Sequence, residues 1–285
     1  MNLVSNPYAK QAQALATALA EQAMQALLDE ARLTPKPGLV DRRGSGAHTD
    51  LSLQLMERSA ISLKDTFFVL ALASWKRPLD VALRAEIGKI GRKGEQQMML
   101  VTEGVNTHRG SIWTMGLLVS AMAMVDGIAT AQQVTELAAS LAQLPDHASP
   151  RTFSKGLCAT RRYQVPGARE EAQQGFPHIM ELALPELTAS RRCGATQQQA
   201  QLNALLAIMS SLTDTCVLSR AGMAPLIAMQ QGAKTVLALG GVQTASGWSA
   251  LAALEQRMLA DNVSPGGAAD LLAATLFLDR TTLSQ

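Results

Sequence analysis

"NPYAKQAQALATALAEQAMQALLDEA", Asn6–Ala31, is the stretch on which the fold turns. Asn followed by Pro is a strong helix start, because Asn accepts from free first-turn amides and Pro carries no N–H that would need a partner. Leu15, Leu19, Ala23, Ala26 and Leu27 recur at helical spacing and make one apolar stripe. The residues are mostly Ala, Leu, Met and Gln, which lose little side-chain freedom in a helix. The same vocabulary continues outward from this segment. A second helix is expected from an Asp50 N-cap through "LSLQLMERSAISLKDTFFVLALAS", and a third opening at Pro78. Others are expected over 111–126, 130–143, 168–184, 196–212, 222–239, 245–261 and 267–280. β-branched runs and alternating strand patterns are scarce, and no strand-borne G-x-G-x-x-G or Walker A sequence occurs. The expectation is one all-α domain over residues 1–285, with polar Gly/Pro-rich loops at its helix boundaries.

Composition narrows the function classes. Apolar residues are 47% and charged residues 17% of the 285, enough to bury a real core. The net charge of +2 argues against nucleic-acid binding driven by bulk electrostatics. Cys158, Cys193 and Cys216 show no paired zinc spacing and are odd in number. They are expected as reduced, partly buried packing residues of a cytoplasmic protein. The opening "MNLVSNPYAK" lacks a signal-peptide pattern, and Gly110–Val125 is short for a membrane span. Thr235–Leu254 is long enough, but "GGVQTASG" reads as a turn inside it. No membrane association is expected. The Ala/Met-rich helix faces fit a homodimer interface as well as a core. Gly88, Gly91 and Gly94 share a helix face, which suits either close helix packing or close approach by a ligand.

Four polar loops carry the chemistry. The first, "LTPKPGLVDRRGSGAHTD" (Leu33–Asp50), holds Lys36, Asp41, Arg42, Arg43, His48 and Asp50 among two prolines and three glycines, including Gly38. A plain helix connection has no use for so many ionisable groups. The second, "GVNTHRG", places Asn106, Thr107, His108, Arg109 and Gly110 before a helix start, where free amides and the helix dipole suit anions. The third, "TDTCVLSRAG", offers Asp214 as N-cap or metal ligand and Arg220 as a phosphate partner. The fourth, "DNVSPGGAADLL", offers Ser264, Gly266 and Gly267 at a helix start, with Asp270 as a dipole-compensating or metal-binding carboxylate. Together these loops suit a polyphosphate neutralised partly by protein and partly by Mg²⁺, which prefers oxygen ligands. The four histidines, His48, His108, His147 and His178, lack zinc spacing.

"TPKPGLVDRRGSGAH", "GVNTHRG" and "SPGGAADLL", in this order, resemble the triphosphoribosyl-dephospho-CoA synthase family over roughly Glu30–Leu272. "LVDRRGSGAHTDL" looks more like the branch serving malonate decarboxylase than the one serving citrate lyase. The resemblance implies that ATP loses adenine and its ribose C1 joins the 2′-hydroxyl of 3′-dephospho-CoA. The product is the precursor of an acyl-carrier prosthetic group, passed on to a separate carrier-protein transferase. In this family an α bond replaces the β bond of ATP, which implies one inverting displacement through an oxocarbenium-like transition state. Asp41 or Asp50 is expected as the base or cation stabiliser. Lys36, Asn106, His108 and Arg109 are expected on phosphates, with His108 also a candidate acid. Gly38, His48, Thr107, Gly110, Arg220, Ser264, Gly266 and Gly267 complete the expected substrate contacts, and Asp214 and Asp270 are the expected metal ligands. Two other readings stand beside this one: an Mg²⁺-dependent N-glycosidase using water as acceptor, and a non-catalytic helical module that binds a nucleotide or a carrier protein.

Overall fold

The structure, a computed structural model, describes residues 7–148 and 155–283. Helix α1 (Pro7–Arg32) is followed by α2 (Leu53–Ser62), α3 (Lys64–Ser74), α4 (Val81–Val101), α5 (Arg109–Met124) and α6 (Ala131–Gln143). Then come α7 (Lys155–Tyr163), α8 (Ala168–Gln173), a π-helical segment (His178–Ala183) running into α9 (Leu184–Arg192), and α10 (Gln197–Met209). The chain ends with α11 (Thr215–Arg220), α12 (Met223–Ala238), α13 (Ala245–Ala260) and α14 (Gly266–Thr281). The described residues form no strand, only isolated bridges such as Asp41 with Gly44. The fold is all-α.

Three helices that are apolar on nearly every side occupy the centre, as such helices must. They are α5, buried from Ser111 to Ala123 save for Trp113, α10, buried from Ala200 to Met209, and α14, buried from Leu271 to Leu278. The uncharged run that is too short for a membrane is therefore a core helix. Helix α1 lays its stripe of Leu19, Ala23, Ala26 and Leu27 against α3, α5 and α14. α12 and α13 pair with each other, and α12 covers α10. No helix among the described residues is long and apolar enough to cross a membrane.

Several boundaries differ from expectation for identifiable reasons. Asn6 lies outside the described residues. Ser52, not Asp50, caps α2, and its side chain accepts from Leu55 N–H at 3.2 Å. The single helix expected there is two, divided at Leu63. Asp80, not Pro78, opens α4, because its carboxylate accepts from Leu83 N–H at 2.7 Å. The helix expected over 168–184 is interrupted where Gly175 and Phe176 both take positive φ. The α4 glycines serve packing: a Cβ on Gly94 would strike Thr66 of α3, and one on Gly88 would strike the Asp146 carboxylate. Gly240 and Gly241, both at positive φ, make the turn between α12 and α13. The three cysteines are unpaired, as expected, but exposed instead of packed.

Candidate active site

The four polar loops meet around the starts of α5, α11 and α14 and the end of α1. Within the first loop, Lys36 is buried. Its ammonium donates to the Glu30 carboxylate at 2.5 Å and to the Glu30 carbonyl at 2.6 Å. Gly38 takes φ +70, and any side chain on it would collide with the Val263 carbonyl, so this glycine lets the first loop lie on the fourth. Asp41 is buried and accepts from the amides of Lys36 at 2.8 Å and Arg43 at 2.7 Å, and from the Arg43 guanidinium at 2.7 Å. Arg43 continues to Glu255 on α13 at 2.5 Å. Burial would raise the Asp41 pKa, but the Arg43 bonds and the amides outweigh it and hold the carboxyl below its ordinary value. Asp41 thus organises its loop. Asp50 is exposed, with His48 at 3.6 Å.

His48 joins three loops. Arg220 donates to its Nδ1 at 3.0 Å and to the Ala47 carbonyl at 2.9 Å. A guanidinium only donates, so Nδ1 is the acceptor and Nε2–H donates to Ser264 Oγ at 2.7 Å. Burial and the Arg220 charge keep His48 neutral by lowering its pKa.

At the α5 start, Thr107 is half-buried and His108 buried. Ser59 of α2 hydrogen-bonds Thr107 Oγ1 at 2.6 Å and His108 Nδ1 at 2.8 Å. Among the described residues, His108 Nε2 is buried without a partner. Complete burial, aided by the Lys36 charge, pushes the His108 pKa down to about 3. His108 is therefore a neutral group, able to meet a phosphate through an N–H but not through charge. Asn106 is exposed, and its Oδ1 accepts from Arg109 N–H at 3.3 Å. The Arg109 guanidinium pairs with Glu95 of α4.

Asp270 of α14 crosses to this helix start. Its carboxylate accepts from the Ser111 hydroxyl and amide, and lies so close to Gly110 that a Cβ there would overlap it. It thereby does for α5 what an N-cap side chain ordinarily does. Burial comes first in pushing its pKa up to about 7, opposed by Ser111 and reinforced by Glu30 and Asp214. Asp214 is buried and caps two helices. It accepts from Cys216 at 2.8 Å and Val217 at 3.4 Å in α11, and from Ala268 at 3.0 Å and Gly267 in α14. Burial nonetheless raises its pKa, outweighing those four amides. Gly266 donates its amide to the Ser264 carbonyl at 3.0 Å.

A cavity of about 80 Å³ opens at this junction, lined by Asp214, Gly267, Asp270 and Thr114 and, from the other side, by Ala168, Glu171 and His178. Glu171 is buried and accepts from His178 Nδ1 at 2.7 Å and from the His178 amide at 3.0 Å. This carboxylate–imidazole pair, like Glu30 and Ser59, went unmarked in the sequence reading.

Among the described residues, no three or more His, Cys, Asp or Glu side chains are grouped so as to hold a metal ion. Both Asp214 oxygens accept from amides, and Asp270 Oδ1 accepts from the Ser111 hydroxyl. The geometry therefore does not fit a protein-built metal cage.

Residues 16–284 match the family model described as ATP:dephospho-CoA triphosphoribosyl transferase. A 2-(5″-triphosphoribosyl)-3′-dephosphocoenzyme-A synthase of Klebsiella pneumoniae is 66% identical over 92% of this chain and 94% of its own. A probable synthase of the same name from Stutzerimonas stutzeri is 57% identical over 96% of this chain and 95% of its own. One from Pseudomonas paraeruginosa is 52% identical over 98% and 96%. No solved structure matches. With a match spanning nearly the whole sequence, and with the motif-bearing loops gathered at one buried junction, the chain is an enzyme that belongs to the ATP:dephospho-CoA triphosphoribosyl transferase family.

Proposed function

We propose that this enzyme transfers the 5-triphosphoribosyl group of ATP to the 2′-hydroxyl of 3′-dephospho-CoA, releasing adenine. The C1′–N9 bond of ATP breaks, a C1–O2′ bond forms, and the hydroxyl proton ends on the departing adenine. The observation that carries the chemical assignment is the half-buried Asp270 carboxylate on the wall of the cavity, beside two other helix starts, with its pKa pushed up to about 7. A carboxyl that titrates near working pH suits a group that must take and then give up a proton. Asp270 is therefore assigned proton transfer from the acceptor hydroxyl, in place of Asp41 and Asp50. Asp41 is committed to Arg43 and amides, and Asp50 is exposed. The His178–Glu171 pair across the cavity is assigned to the leaving base. Its imidazole is oriented by a carboxylate, the arrangement that fixes a general acid's direction.

Asn106, Arg109, Gly110 and Arg220 are assigned to the triphosphate, beside the positive end of the α5 dipole. Mg²⁺ would accompany ATP on its own phosphates, which needs few protein ligands. The finer assignment, to the branch that builds the malonate decarboxylase prosthetic group, is supported by the "LVDRRGSGAHTDL" form of the first loop. The product would pass to a separate transferase that loads the carrier protein.

The test incubates the protein with ATP, Mg²⁺ and 3′-dephospho-CoA and follows adenine and adduct by chromatography with mass detection. Adenine and a triphosphoribosyl adduct formed together, only when dephospho-CoA is present, is the expected outcome. Adenine without adduct would establish the glycosidase reading instead.

A further inference from the structure

A second charged cluster lies between α4, α5 and α8, and none of the roles above uses it. Arg84 of α4 is 7% exposed, and its Nε is buried without a hydrogen-bond partner among the described residues. Its Nη1 lies 3.4 Å from Asp146, a long contact, whereas Arg92, two turns along α4, reaches the same carboxylate oxygen at 2.6 Å. The other Asp146 oxygen accepts from Ala148 N–H at 3.1 Å. Arg169, the second residue of α8, is near enough to act on Arg84 as a like charge. Burial above all, then Arg92 and Arg169, lower the Arg84 pKa against the pull of Asp146.

Two guanidinium groups thus share one carboxylate, with that of Arg169 close by. The neighbouring carboxylates are engaged elsewhere: Glu95 with Arg109, Glu171 with His178, and Glu170 with the Gly167 amide. A buried guanidinium edge with no acceptor costs free energy that a bound anion would recover. The Arg84 guanidinium also sits over the Trp113 ring, 5.3 Å from its centroid, and Trp113 Nε1 donates to the Ala168 carbonyl at 3.2 Å. Those contacts join the cluster to the active site, because Thr114 and Ala168, the chain neighbours of Trp113 and Arg169, line the cavity.

We propose that Arg84, Arg92 and Arg169, gathered beside Trp113, form a subsite for the oligophosphate of a nucleotide substrate. Planar guanidinium groups match phosphate oxygens two at a time, and Arg84 is already held in place by the Trp113 face. Two sources share this chemistry: the triphosphate of ATP and the diphosphate of dephospho-CoA. Naming one of them rests on the transferase reading, whereas anion binding does not.

The test uses the full chain and the exposed-side variants Arg92→Ala and Arg169→Ala, with thermal melting as the check on folding. Inorganic triphosphate and pyrophosphate are titrated by calorimetry, and KM is measured separately for ATP and dephospho-CoA. Arg169 makes no contact that holds Asp146, so Arg169→Ala separates anion binding from a purely structural network. The expected result is a tenfold or greater weakening of an inorganic probe, or an equal rise in one KM, in Arg169→Ala at unchanged melting temperature. A rise confined to dephospho-CoA assigns the diphosphate, and one confined to ATP the triphosphate. Unchanged probe affinity together with unchanged KM for both substrates in Arg169→Ala and Arg92→Ala would overturn the proposal. A wild-type protein that forms no adduct, while Arg169→Ala still loses probe binding, would sink the transferase reading and leave the subsite standing.

Discussion

Asp41 and Asp270 are the same residue type, Asp41 buried and Asp270 half-buried, and the chain sets them to opposite purposes. Around Asp41 the loop supplies two amides and the Arg43 guanidinium, and the carboxyl stays ionised. Around Asp270 there are the Ser111 donors and two further carboxylates, Glu30 and Asp214, so its charge is costly. The contrast teaches that burial alone decides nothing. The balance of donors against like charges separates a structural carboxylate from one able to exchange protons.

The strongest way to break this comparison is Asp270→Asn. It should lower kcat by roughly 10²–10⁴-fold, the usual worth of a positioned proton-transfer group, with the fold intact by circular dichroism. In the wild type, kcat/KM should rise with pH through an apparent pKa of about 7, since the carboxyl must be ionised to accept a proton. Stability should move the other way. The folded pKa of about 7 lies above the ordinary carboxyl value of 3.8, so the folded state binds the extra proton between them and stability falls as pH rises across that window. Asp270→Asn lacks this loss. Its unfolding free energy, read by denaturant titration, should gain on the wild type from about pH 4 to 7, by up to about 4 kcal/mol. A gap independent of pH would remove Asp270 from the role given to it.

Lys36→Met comes next. It strands Glu30, beside Asp270, as an unpaired buried carboxylate, and should cost about 3–5 kcal/mol in denaturant unfolding. Adding Glu30→Gln should restore part of that loss, because the second change removes the stranded charge. No restoration would mean that the pair is not coupled as its 2.5 Å contact indicates. Asp41→Asn should cost less, about 2 kcal/mol, since Arg43 is partly exposed and keeps Glu255. Its kcat should stay within a few-fold of wild type. A loss as large as that of Asp270→Asn would reverse the assignment of the two carboxylates. The smallest effect is expected from Asn106→Ala, about 1 kcal/mol in thermal melting, for one cap on the Arg109 amide.

The same comparison shows what one-dimensional reading reaches. Helices α1, α5, α10 and α12–α14 were legible because their apolar residues and terminal glycines or caps lie within one window. The four loops were legible because clustered charges and glycines are unusual between helices. The division at Leu63 was not, since nothing in "AISLKDT" breaks helical propensity. Nor was Glu30 as the Lys36 partner, because it sits unremarkably in the last turns of α1. Glu171 with His178, and Arg84 with Asp146, join segments that only packing brings together. The capping of α5 by Asp270 spans 159 positions, beyond the reach of any local motif.

The double cap made by Asp214 has a consequence for exchange with deuterated water. First-turn amides of a helix ordinarily face solvent and trade their protons fastest. Here one carboxylate closes the amides of Cys216, Val217, Gly267 and Ala268 at the starts of two different helices. Those four protons become clocks for a single event, the parting of α11 from α14. They should slow and quicken together, and when a substrate fills the cavity beside them, all four should slow in step.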